Sequence, residues 1–194
     1  MRKRLLLGLS LLAVAALTVM GSASAGSVPT KDKVSGDGQR AARVSNGPSP
    51  LFTIDSTSGP SGQNPTGTMT MDWGTAFGAP TNFTVKVTCL HVSGNQATIL
   101  GVITSGTGID GVYGDALAPG DEFLIAVQDN GVAQKGGVSP DRLSGVLWGT
   151  GFIEDPNVLN STKAAVCADS TDALGTPDHY VGLVSGNINV TDAP

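Results

Sequence analysis

From Leu51 onward the chain runs in short stretches of Val, Ile, Thr and Phe, broken by Gly, Pro, Asn and Asp every few residues. No segment carries a convincing helical period of normal length, so the backbone has to be satisfied through strands and turns. With 27 Gly and 11 Pro in 194 residues, turn formers are abundant. The pattern predicts one all-β domain over residues 51–194, read as an antiparallel β-sandwich with Greek-key-like connections.

Alternation with period two identifies the strands and assigns their faces. In 68–73, Met69, Met71 and Trp73 share one face, while Thr68, Thr70 and Asp72 share the other. In 82–91, Phe83, Val85, Val87 and Cys89 are expected to point inward and Thr84, Lys86 and Thr88 outward. Ser93-Gly94-Asn95 is a turn signal, so residues 97–104 should pair back as a hairpin. Further strands are expected at 122–128, closed by Asp129-Asn130-Gly131, at 142–148 after Ser139-Pro140-Asp141, and at 180–191 with a bend at Gly186. Residues 105–121 and 149–179 read as long polar loops, where function concentrates in such folds.

The N-terminus reads differently. Arg2, Lys3 and Arg4 precede an apolar run from Leu5 to Met20, and Ala23-Ser24-Ala25 is a small-residue cleavage pattern. Residues 1–25 are therefore expected to be a signal peptide, too short in its apolar run to span a bilayer, with the mature chain starting at Gly26. Residues 26–50 are rich in Gly, Ser, Pro and charge without an apolar period, the composition of a disordered N-terminal arm. The expected location is secreted and extracellular, with no membrane insertion after cleavage.

Removing the signal peptide takes away three basic residues and no acidic one, leaving twice as many acids as bases in an acidic body. Such a surface repels phosphate backbones, which argues against nucleic acid as a partner. Two cysteines in an exported chain make Cys89–Cys167 the expected disulfide, closing a long loop worth roughly 4 kcal/mol in the chain-entropy model.

The chemistry-bearing residues are sparse. The two histidines, His91 and His179, rule out a three-histidine zinc site, and neither lies in a metal-binding motif. There is no G-x-S-x-G elbow. The only glutamates, Glu122 and Glu154, would have to supply any glutamate pair for glycoside hydrolysis. No motif requires a cofactor, and calcium is the cation that the acidic loops suit: Asp110, Asp115, Asp121 and Glu122 are the candidate ligands, without EF-hand spacing. Among the aromatic residues, Trp73 is expected in the core with its methionine neighbours. Trp148, at a strand end before a Gly-containing loop, is the candidate ligand platform.

The run 87–104, VTCLHVSGNQATILGVIT, resembles the hairpin signature of an uncharacterised family of secreted bacterial β proteins. The D-N-G turn at 129–131 and the P-D-x-x-S segment at 140–144 match that pattern too. The resemblance covers about half of the mature chain. It implies a β fold and export, and it transfers no catalytic residue, because its shared positions are turn formers and core residues.

The functional expectation is a monomeric, non-enzymatic extracellular binding or interaction module, with a glycan or a surface protein as partner. The alternatives are a secreted hydrolase acting on polysaccharide and a structural surface component that pairs through strand edges. A calcium titration tests the acidic loops directly. A bound ion raises the melting temperature of the oxidised protein by mass action, whereas solvated loop acids leave it unchanged.

Overall fold

A computed structural model describes residues 28–42, 49–75, 80–108, 116–131, 139–144, 147–148, 167 and 180–194. The strands are β1 (Asp32–Arg40), β2 (Leu51–Ser58), β3 (Thr66–Asp72), β4 (Asn82–Ser93), β5 (Gln96–Thr107), β6 (Glu122–Gln128), β7 (Arg142–Ser144), β8 (Leu147–Trp148) and β9 (Tyr180–Thr191). All pairings are antiparallel, each strand from β1 to β6 pairs with the next, and β9 lies between β7 and β1. The short β7 and β8 both pair with β6 and occupy one position in the ring. The result is a closed eight-stranded meander barrel, not the Greek-key sandwich that the alternation suggested. Alternation assigns an inside and an outside to each strand, and both architectures satisfy it.

The strand that closes the ring is β1, and it lies in the segment expected to be a disordered arm. Its even-numbered residues face inward, and these are Asp32, Val34, Gly36, Gly38 and Arg40, with a single large apolar side chain among them. That explains the missing apolar period. The glycines are needed for another reason: a Cβ on Gly38 would run into the Ser185 carbonyl oxygen of β9. Opposite it, Gly186 has φ +97° beside a register shift, so the expected bend in β9 is present.

The interior is filled by side chains. Phe52, Ile54, Met69, Met71, Val85, Ile99, Ile125, Leu143 and Ile188 are buried there, and the rings of Phe83 and Phe123 pack tilted at 5.4 Å between centroids. Trp73 packs against this core, as its face predicted. At the mouth where β1 ends, the buried Arg40 guanidinium lies 5.6 Å from the Trp73 ring centroid and donates through Nη1 to the Ser144 carbonyl at 3.0 Å. Outward positions on β2 to β4 carry mainly Thr, Asp, Asn and Lys.

At the opposite mouth, aspartates complete the ladder. Beyond Gly182, β9 has no strand on the β7 side, yet its amides are paired there. Leu183 N donates to the Asp141 carbonyl at 3.2 Å, Ile188 N to Asp141 Oδ2 at 2.7 Å, and Val190 N to Asp129 Oδ2 at 3.0 Å. Asp141 Oδ1 also accepts from Asn130 N at 2.9 Å. Past the strand end, Asp32 accepts from Ala193 N, and Asp192 from Gly94 N. Asp141 is fully buried, and these donors satisfy its carboxylate oxygens. Asp141→Ala should therefore cost about 3 kcal/mol, because two amides lose their acceptor. Urea unfolding should show a lower midpoint with an unchanged slope, and Asp129→Ala, at a less buried site, should cost less.

Candidate ligand groove and the disulfide-covered face

The register of β2 to β5 lines outward side chains into rows that cross the strands. Thr53, Thr70, Thr84 and Ser105 are successive cross-strand partners, and so are Leu51, Asp72, Asn82 and Thr107 in the next row. A register shift between Thr84 and Val85, opposite Thr104, re-aims the end of β5 so that Ser105 and Thr107 join these rows. Together the two rows line a shallow groove of about 510 Å³ near the Arg40 mouth. The Thr53 and Thr70 hydroxyls bond each other at 2.6 Å. Asp72 Oδ1 accepts from Gly74 N at 2.8 Å, which fixes the carboxylate at the strand end. Leu51 is 53% exposed and supplies an apolar wall. Among the described residues no basic side chain lines the groove, and Asp72 is its one formal charge.

A second surface lies outside the barrel on β4 to β6. Leu100, Leu124 and Ala126 point outward yet are buried, clustered with Cys167, with Cys89 and Tyr180 packed against them. The Cys89–Cys167 disulfide is formed, with 6.3 Å between its Cα atoms. Cys89 is not in the barrel core, although strict alternation after Val87 placed it there. A register shift between Val87 and Cys89 leaves Thr88 without a partner and reverses the phase, so that Leu90 and Val92 point in and Cys89 points out. The bridge thus holds Cys167 on the outside of the sheet.

The sequence-predicted ligands are not brought together among the described residues. Asp121 Oδ2 accepts from Ala118 N at 2.7 Å within its own turn, and Glu122 opens β6 opposite Val102. Asp110 and Asp115 lie outside the described residues, as do Glu154, His179 and residues 1–25. Among the described residues no group of three or more His, Cys, Asp or Glu is placed to hold a metal. Trp148 pairs through its backbone with Phe123 in β8, and its side chain lies outside the described residues. His91 sits half-buried on β4, opposite Thr98. The groove residues Asp72, Thr70 and Thr84 were visible in the sequence as polar outward positions, and Asn82 only as the start of its strand. What was hidden is the register that puts them side by side.

Searches against protein-family models, curated proteins and solved structures find no match to this chain.

The disulfide-covered face yields two expectations. Replacing both cysteines with Ala should lower stability by about 4 kcal/mol, given the 78-residue separation. Burial pushes the Tyr180 phenol above its ordinary value, so the folded state keeps that proton longer than the unfolded one. Its contribution is complete below about pH 10 and is lost as pH rises further. The buried Tyr180 hydroxyl has no hydrogen-bond partner among the described residues. Tyr180→Phe should therefore leave neutral-pH stability unchanged or slightly higher, and should flatten the alkaline decline in a pH series of urea midpoints.

Proposed function

We propose that this protein is an exported, non-catalytic binding module that receives an extracellular ligand in the β2–β5 groove. The observation that carries this reading is the groove itself: a concavity in the size range of ligand sites, lined by convergent hydroxyl, amide and carboxylate groups on well-paired strands. Export rests on the basic, apolar and small-residue pattern of residues 1–25, together with a disulfide of the kind that persists outside the cytosol. The secreted bacterial family suggested by the 87–104 hairpin agrees with that location.

Binding is favoured over hydrolysis because the groove holds one carboxylate among the described residues, and glycoside hydrolysis uses two at a set separation. Among the described residues the groove also contains no histidine or cysteine to assist a hydroxyl nucleophile. Assembly through strand edges is disfavoured by the closed ring, because barrel closure removes the edges that such pairing needs.

A thermal-shift panel of polysaccharides and short peptides on the oxidised protein tests the reading. At least one ligand class should raise the midpoint, by the equivalent of about 2.7 kcal/mol at a hundredfold excess over Kd. The rise should disappear in an Asp72→Ala, Asn82→Ala double variant. A panel without any shift, or a shift that survives both substitutions, contradicts the proposal.

A further inference from the structure

We infer that the groove takes a neutral glycan chain laid across the strands, with Asp72 and Asn82 as polar anchors and Leu51 as the apolar contact. This rests on the binding-module reading and narrows its ligand.

The lining excludes the other ligand classes one at a time. An anionic ligand would lose water beside Asp72 with no Lys, Arg or His in the groove to compensate. An apolar ligand could cover Leu51 and the threonine methyl groups, but it would strip water from Asp72 and Asn82 and give them no partner in return. A peptide added as an extra strand needs an open edge, and β2, β3 and β4 are each paired on both sides. β5 is left without β6 only past Val102, where Ile103 bonds Asp121 and Gly120 and Gly108 accepts from Leu117 N, too short a stretch for a strand ladder. A cationic ligand would meet a single carboxylate, one of whose oxygens already accepts from Gly74 N.

A neutral glycan satisfies what remains. Its hydroxyls both donate and accept, as the Thr and Ser hydroxyls do, and the carboxylate of Asp72 and amide of Asn82 offer paired polar atoms to adjacent sugar hydroxyls. The Thr53–Thr70 bond holds two of the hydroxyls in fixed rotamers before ligand arrives, which lowers the ordering cost of binding. Adjacent strands lie about 4.8 Å apart, so a row across four of them extends roughly 14 Å. That length suits several linked sugars rather than one. The exposed Leu51 at the end of the second row offers a surface for the C–H face of a ring.

Titration calorimetry of the oxidised protein with cellohexaose, xylohexaose, mannohexaose and chitohexaose, and with an oligogalacturonate of similar length, tests the inference. One or more neutral oligosaccharides should bind at least tenfold more tightly than the anionic one. Asp72→Ala and Asn82→Ala should each weaken that binding about tenfold, and Leu51→Ser severalfold, with melting temperatures close to that of the parent protein. Amide chemical-shift changes on binding should centre on Thr70, Asp72, Asn82 and Thr84, a readout that does not depend on any variant folding. Tighter binding of the anionic oligomer, or of a peptide, at those same residues would keep the binding-module reading and overturn the glycan assignment. Changes confined to another face, or no binding by any of these probes, would overturn both.

Discussion

A buried carboxylate stands where a neighbouring strand would otherwise be. On its β1 side, β9 is paired by an ordinary ladder over most of its length, but on its other side β7 reaches only from Tyr180 to Gly182. The remaining amides on that side need acceptors, and the carbonyl and carboxylate of Asp141, with the carboxylate of Asp129, supply them. Without them the amides of β9 beyond the short β7 ladder would form an unsatisfied stretch of edge within the closed ring. Asp141 also accepts from Asn130 N, so the turn after β6 and the closing strand are held by one side chain. The cost of burying these polar oxygens is offset by donors fixed in the backbone, which need no rearrangement to reach them.

Closure in turn determines what the outside of the barrel can do. A closed meander with an apolar interior gives every strand in β2 to β5 two neighbours, so its outer face is a rigid lattice of side chains in register. Three surroundings follow around the same ring. The Arg40 and Trp73 contact occupies one mouth, an apolar patch under the disulfide covers part of the outer face, and a hydroxyl-lined groove remains open to solvent. The proposed ligand site is the face that the fold leaves wet and concave, and the fold's own needs account for the others.

Much of the local structure is legible in the sequence, and the topology is not. The runs at 122–128 and 180–191 form strands with those bounds, and the 93–95 turn joins β4 to β5, because period-two burial and turn chemistry are local properties. Closure is a long-range property. It depends on β1, whose inward positions are mostly Gly and charge because they line a crowded seam and a mouth, so the composition reads as an arm. The phase error at Cys89 has the same character: one unpaired residue at Thr88 turns every later side chain of β4 over, and nothing in the alternation marks it. Asp129 and Asp141 were recognisable as turn formers. Their carboxylates serve partners about 50 to 60 residues away, which spacing alone does not reveal.

Native-state hydrogen exchange at individual amides measures the seam most directly. The Ile188 and Val190 amides have no strand partner on the Asp141 side, so a simple open-edge barrel would release them quickly. Closure by Asp141 and Asp129 predicts that they exchange only with global unfolding, as slowly as the amides at the centre of the β4–β5 hairpin. Exchange of Ile188 and Val190 on the timescale of exposed loop amides, while the β4–β5 amides stay protected, would contradict the sealing of the β9 edge by Asp141 and Asp129.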